Sequence, residues 1–291
     1  MNFSFIIPHK NAPDLLQRCL DSIPQREDVE IIVVDDNSEQ DKRPQISRKG
    51  VVVLFNKDNL GAGHARNIGL VEAKGKWVLF ADCDDYYEKE TFDVLYEYVD
   101  SQYDIIFFDS YVRFNTSMNN QENSLYCKYL KDYKETGAIS AKANLKHCLN
   151  APWNKMYRRD FIIENQLKFE EIPIGNDAYF VNMASSLTSN VFFLSQKLYY
   201  YVDNPAGITR KKRRSINDLK ILFESTAKVD IIKYKSGATD TIYPIIYPTL
   251  KRYIKDYGLI NTIKLYMIKF CYPNYPLFSL YSRKILKRWF Q

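Results

Sequence analysis

A chain of 291 residues that is 46% hydrophobic has enough apolar sequence for one large domain, or for a domain with an appendage. Its longest apolar runs fall far short of the roughly 20 residues a bilayer span needs. The opening "MNFSFIIPHK" lacks the basic leader of a signal peptide, and five scattered cysteines without a C-x-x-C favour free thiols in a reducing cytoplasm.

In chain order, "FSFIIP" (3–8) is a short buried strand. "APDLLQRCLDSI" (12–23) has apolar residues at helical spacing. "VEIIVVDD" (29–36) and "VVVLFN" (51–56) are the second and third strands. "GHARNIGLVEAKG" (63–75) is a helix closed by Gly75. "KWVLFAD" (76–82) is a strand, "KETFDVLYEYVDS" (89–101) a helix and "YDIIFFDS" (103–110) a strand. Strands alternating with helices predict an α/β fold with a mostly parallel sheet. Beyond residue 112 the pattern is less regular. Helices are expected at 139–150 and 176–187, short strands at "VFFLS" and "LYYYV", and helices near 216–235, 241–256, 259–270 and 277–290.

Charge is unevenly distributed along the chain. The net charge is +6. Residues 251–291 hold nine bases against one acid, Asp256, so residues 1–250 sum to −2. A further basic block, "RKKRR", fills 210–214. In the last segment Phe278, Tyr281, Ile285 and Trp289 form one helical stripe beside Arg283, Lys284, Lys287 and Arg288. That composition suits an interfacial helix on anionic lipid; a packing helix or a dimer contact is the alternative. No nucleic-acid motif accompanies the basic runs, which argues against a nucleic-acid partner.

The chemistry concentrates in "LFADCDDYYE" (79–88), with Asp82, Asp84 and Asp85 in four positions after an apolar strand. Asp35 and Asp36 end the second strand in the same way. In open α/β sheets ligands bind beyond the carboxyl ends of the strands. Closely spaced carboxylates there suit a hard divalent cation, although an isolated D-x-D is more often a solvated turn. Phosphate loops are absent: no G-x-x-x-x-G-K-[ST] occurs, and "PHKN" follows the first strand. "GAGHARNIG" (61–69) is only a weak glycine pattern. His64 and His147 lack metal-ligand spacing.

Six segments in order, "FSFIIPHKNAPDLLQRCLDSIP", "VEIIVVDDNS", "NLGAGHARNIGL", "GKWVLFADCDDYYE", "APWNKMYRRDFI" and "GNDAYF", resemble the family 2 glycosyltransferases over about residues 3–185. The resemblance implies a GT-A fold, a Rossmann-like mostly parallel sheet flanked by helices. A catalytic domain at 1–210 would have a donor half (about 1–110) and an acceptor half (about 111–210), followed by a basic helical extension at 211–291. It implies an inverting transfer from a nucleotide-diphosphate sugar, UDP-linked by expectation, to a hydroxyl of a growing lipid-linked surface glycan.

The implied roles follow the matching positions. Pro8, Lys10, Asp36, Arg66 and Asp82 would line the nucleotide site. Asp84, with Asp82, would hold Mn²⁺ or Mg²⁺. Asp177 falls at the catalytic base. Trp153, Asn154 and Asn176 would form the acceptor side. The chain departs from the family in Lys10, where an aromatic residue often stacks on the base, and in Asn176, where a Glu usually precedes the base. The expected setting is the cytoplasmic face of the cell membrane, with peripheral attachment and a possible homodimer. The rivals are a sugar nucleotidyltransferase, which wants a glycine-rich loop where "PHKN" stands, and a degenerate binding subunit, against which Asp36, Asp84 and Asp177 argue.

Overall fold

The computed structural model describes residues 1–114, 117–119, 124–204, 215–242 and 248–272. The first half runs β1 (Phe3–His9), α1 (Pro13–Asp21), β2 (Val29–Asp36), β3 (Val51–Asn56), α2 (Ala62–Glu72), β4 (Trp77–Phe80), β5 (Tyr86–Tyr87) and α3 (Thr91–Tyr96). Next come β6 (Ile105–Phe114), β7 (Ser117–Asn119), α4 (Leu125–Thr136), α5 (Ile139–His147), β8 (Lys155–Arg158), α6 (Arg159–Glu164), α7 (Asn176–Leu187) and β9 (Val191–Asp203). Helices α8 (Ile216–Lys235), α9 (Pro248–Tyr257) and α10 (Leu259–Phe270) complete the described chain.

Among the described residues the nine strands join one sheet in the order β3-β2-β1-β4-β8-β6-β9-β5, with β7 on β6. The β3-β2-β1-β4 block is parallel. Strand β8 runs antiparallel to both β4 and β6, and β6 pairs β9 in parallel. The architecture is the expected α/β sheet with flanking helices; its second half is mixed.

Strands β1, β2 and β4 are buried on both faces, which accounts for their largely apolar runs, while β3 is the edge strand and exposes Val52 and Phe55. Phe3, Phe5 and Ile7 of β1 join Leu16, Leu20, Trp77 and Leu79 on one face. Ile6 joins Ile32, Val34, Val78 and Phe80 on the other. A one-residue slip would exchange these two sets, so register is strongly specified. It places the ends of β1, β2 and β4 side by side.

Several boundaries differ from expectation for local reasons. Gly75 does not cap α2, which stops at Glu72 with Ala73 extended. A Cβ at Gly75 would lie 2.6 Å from the backbone of Phe3 and Ser4, so this glycine serves the close approach of the loop to β1. "VFFLS" and "LYYYV" are one 13-residue strand, β9, whose pairing with β6 shifts register between Phe107 and Ser110. Of the helix expected at 241–256, Pro248–Tyr257 is helical and Thr241 closes a 3₁₀ turn at Thr239–Thr241, while 243–247 lie outside the described residues. The expected basic helix at 277–290 and "RKKRR" lie outside the described residues.

Helix α8 is tied to the sheet domain. Ser225 Oγ and Lys228 Nζ donate to Glu170 at 2.5 and 2.6 Å. Phe223, Leu219 and Leu265 form a small third core with Tyr253 and Tyr266 of α9 and α10. Among the described residues no helix is long and apolar enough to cross a membrane. The five cysteines are free thiols.

Candidate active site

The end of β2 is built around Asp35 and Asp36, whose side chains point to opposite faces. Asp35 is buried and accepts from Ser38 N at 3.0 Å, Ser38 Oγ at 2.5 Å and His9 Nδ1 at 2.8 Å. His9 Nε2 accepts from the Ala12 backbone N–H at 3.1 Å. This network fixes the turn from β1 into α1. Those hydrogen bonds hold the Asp35 carboxyl below the ordinary range although burial opposes them.

Asp36 faces the other way, on the face of β2 that carries Val34, the register partner of Pro8. Its Oδ1 accepts from Asn56 Nδ2 at 3.0 Å and its Oδ2 from the Gly61 N–H at 2.9 Å. Lys10 Nζ lies 4.0 Å from Asp36 Oδ2 and donates to Asn59 Oδ1. Lys10 and Asp36 therefore stand together at the adjacent ends of β1 and β2.

The acidic trio after β4 separates into different fates. Asp82 accepts from Arg66 Nη2 at 2.5 Å, and its side chain is 33% exposed. Asp84 is half-buried and accepts from Asn204 Nδ2 at 2.9 Å. Burial, with Asp82 nearby, pushes its carboxyl up against the Asn204 hydrogen bond. Asp85 turns away into the sheet, where Tyr199 Oη donates to it at 2.9 Å and the Val202 N–H at 2.7 Å. The trio is thus a pair plus a buried anchor. Burial above all, then Asp82, drives Asp85 well above the carboxylate range.

Asp177 stands in the first turn of α7, after Gly175 in the left-handed region. Burial raises its affinity for a proton, Arg66 opposes that and Asp82 adds to it. Arg66 is the hub of this half. Its Nη2 holds Asp82 and its Nη1 donates to Asn176 Oδ1 at 2.9 Å, while the guanidinium lies over the Phe169 ring. Gly63, one turn earlier on α2, permits this approach: a Cβ there would lie 2.2 Å from the Glu170 carbonyl oxygen.

Two expected acceptor-side residues occupy other roles. Asn154 has no exposed surface; it donates to the Phe108 carbonyl at 3.2 Å and accepts from Lys155 Nζ at 2.6 Å. It joins β8 to β6 rather than facing an acceptor. Asn176 orients Arg66. Trp153 is 9% exposed and stacks on Tyr199 at 4.7 Å. His147 is buried against Asn182, and His64 pairs with Glu171 at 3.0 Å; neither joins the acidic pair.

Sequence reading gave no role to Tyr199, Asn204 or Arg18, which donates to the Asp84 carbonyl oxygen. Lys155 was also missed: it is buried, holds the Ala151 carbonyl at 2.7 Å, and is pushed down to about 7 by desolvation. Their significance depends on chain crossings that no local pattern records.

The carboxylates fit a cation only in part by themselves. Among the described residues no three His, Cys, Asp or Glu side chains form a metal cage. Asp82 and Asp84 are two oxygen donors on one loop. That suits a hard cation that keeps water and takes further ligands from substrate phosphates.

Comparison with known proteins decides the family. The glycosyl transferase family 2 model matches residues 4–165, more than half of the chain. The chain belongs to glycosyltransferase family 2. Relatives include glycosyltransferase GlyA of Streptococcus pneumoniae, 29% identical over 70% of this chain and 31% of GlyA. Another is the poly(ribitol-phosphate) beta-N-acetylglucosaminyltransferase TarS of Staphylococcus aureus, 28% identical over 71% of this chain and 36% of TarS. The family 2 chain described here thus spans about a third of each of these relatives. The solved structure of S. aureus TarS 1–349 in complex with UDP-GlcNAc superposes with a TM-score of 0.68 at 20% identity, covering 91% of this chain and 79% of that one. The mannosyltransferase PcManGT of Pyrobaculum calidifontis, in complex with GDP-Man and Mn²⁺, gives 0.54 at 14% identity, covering 100% and 88%. At these identities the likeness establishes the family's GT-A fold.

Proposed function

We propose that the protein is an inverting glycosyltransferase. It moves a sugar from a UDP-linked donor to a hydroxyl of a growing, lipid-linked surface glycan. The observation that carries this reading is the Arg66 bridge, which joins Asp82 of the acidic loop to Asn176, next to Asp177. One cation thereby connects the donor side to the proposed base.

In this reading Pro8, Lys10 and Asp36 hold the nucleoside. Asp84, with Asp82, holds a Mn²⁺ or Mg²⁺ ion, whose chemistry is to neutralise charge on the departing diphosphate. Asp177 removes the acceptor proton as the hydroxyl attacks. Burial suits it to that work by raising its basicity. One base opposite one leaving group makes a single displacement, hence inversion. Trp153 backs the acceptor side through its stack on Tyr199, and Asn176 acts through Arg66. TarS, named for transfer to poly(ribitol-phosphate), supports an anionic surface polymer as the acceptor class.

We also propose the division into a catalytic part (1–210) and a basic helical extension (211–291) that attaches peripherally to the cytoplasmic membrane face or pairs two copies. The test is a screen of nucleotide sugars for thermal stabilisation with Mg²⁺ or Mn²⁺ present. A UDP-sugar should raise Tm by several degrees and the matching CDP- and GDP-sugars should not. No stabilisation by any nucleotide sugar would overturn the transferase reading.

A further inference from the structure

The base pocket has a feature that the family resemblance does not explain: a lysine where an aromatic residue often stacks. Lys10 is held in place from behind. The preceding His9 is locked by Asp35 and the Ala12 N–H, and the Lys10 backbone N–H itself faces the Cys83 sulfur. Its side chain, 42% exposed, reaches across the end of β1 to Asn59 on the loop before α2 and stops 4.0 Å from Asp36 Oδ2.

We propose that Lys10, beside the Asp36 carboxylate that the family resemblance assigns to the imide N–H of the base, reads the neighbouring O4 of that base and so strengthens the choice of uracil over cytosine. The inference rests on the UDP-donor reading and adds its specificity determinant. An ammonium has three donors, and one is committed to Asn59. Each Asp36 oxygen already accepts one N–H, from Asn56 or Gly61, and keeps a second lone pair. The cluster therefore presents an acceptor and a donor 4.0 Å apart. Uracil offers the complement on adjacent atoms: N3–H as donor and the C4 carbonyl, where cytosine carries its amino group, as acceptor. The 4.0 Å separation suits two hydrogen bonds of about 2.8–3.0 Å to neighbouring atoms.

Cytosine reverses both partners. Its N3 lone pair would face the carboxylate, and its amino group would face the ammonium. A site built to hydrogen-bond one pattern rejects the other, because its polar groups are then left unpaired. Lys10 thus replaces shape recognition by stacking with recognition by charge.

The test is calorimetric titration of the full chain with UDP and with CDP, both with Mg²⁺, for the wild type, Lys10→Met and Lys10→Arg. Lys10→Met should lower UDP affinity about tenfold, the scale of one charge-assisted hydrogen bond at a partly exposed site. It should leave CDP within about twofold. Lys10→Arg should retain most of the preference. Lys10 is a surface side chain, and matching circular dichroism and Tm would verify folding. A UDP-to-CDP ratio unchanged by Lys10→Met overturns the inference and leaves the donor reading intact. Equal wild-type affinity for UDP and CDP also overturns it. Wild type that binds neither nucleotide overturns the donor reading itself.

Discussion

Arg66 and Asp82 meet at 2.5 Å, a buried guanidinium against a partly exposed carboxylate. The pair binds α2 to the loop after β4. A lone buried charge is costly, and removing one partner of such a pair leaves the other uncompensated. This makes the acidic loop dependent on a helix that precedes it in sequence, and through Asn176 on one that follows it by almost a hundred residues.

The acidic pair should give the nucleotide a metal dependence. UDP should bind more tightly with Mn²⁺ or Mg²⁺ than with chelator, and Asp84→Asn should abolish the difference. Calorimetry reads this directly; equal wild-type affinity with and without metal removes the cation from the site.

Replacing the proposed base should separate binding from turnover. Asp177→Asn should keep donor affinity within about threefold and cut turnover roughly 10²-fold or more. Burial raises the proton affinity of Asp177, so wild-type turnover should fall with decreasing pH at a value above the ordinary carboxylate pKa of about 3.9. The stability effect has its own sign. A raised folded-state pKa contributes stability below the unfolded value and loses it as pH rises through the folded one. At neutral pH Asp177→Asn should therefore raise Tm, measured by scanning fluorimetry. A normal turnover rate would assign the proton to another group.

Tyr199 links the anchor to the site. Its Oη donates to Asp85 and accepts from the Asp82 N–H at 3.0 Å. Tyr199→Phe keeps the ring on Trp153 but leaves Asp85 with the Val202 N–H as its remaining hydrogen-bond donor among the contacts described. The loss should be about 1–3 kcal/mol, with weaker metal-dependent UDP binding. Denaturant unfolding within error of wild type would deny Asp85 its anchoring role.

The tail carries the membrane proposal. Full-length protein should bind vesicles of anionic lipid and release at high salt, since surface attraction is screened over about 8 Å at physiological ionic strength. Each basic residue near the surface contributes about 1 kcal/mol. Removing residues 275–291 should reduce sedimentation with vesicles and spare donor hydrolysis. Continued sedimentation would move the anchor elsewhere, and unfolding would make the segment a packing element.

Much of the parallel half was legible because its physics is local. A strand buried on both faces is largely apolar, as "VEIIVVDD" is in β2, and the apolar run "VVVLFN" has the boundaries of the edge strand β3. The acids Asp35 and Asp36 end the apolar run of β2, and Asp82, Asp84 and Asp85 follow that of β4. Helix α7 was likewise readable from residue 176 to 187. Helix α4 was not, because its Tyr126 is fixed by the carbonyls of Phe107 and Leu194, distant in the chain.

The sequence by itself determined that carboxylates collect at the ends of β2 and β4, since covalent order and strand polarity suffice for that. Only the tertiary structure decided what each carboxylate does. Asp82 meets Arg66, Asp84 meets Asn204, and Asp85 is withdrawn by Tyr199 and Val202 on a strand more than a hundred residues later. Three like charges in four positions repel one another, and which is paired or buried depends on partners that the crossing of β9 past β5 supplies. Asn154 shows the same dependence in reverse. Its motif suggested a surface role, but the pairing of β8 between β4 and β6 encloses it, and a buried amide must spend its hydrogen bonds on the sheet.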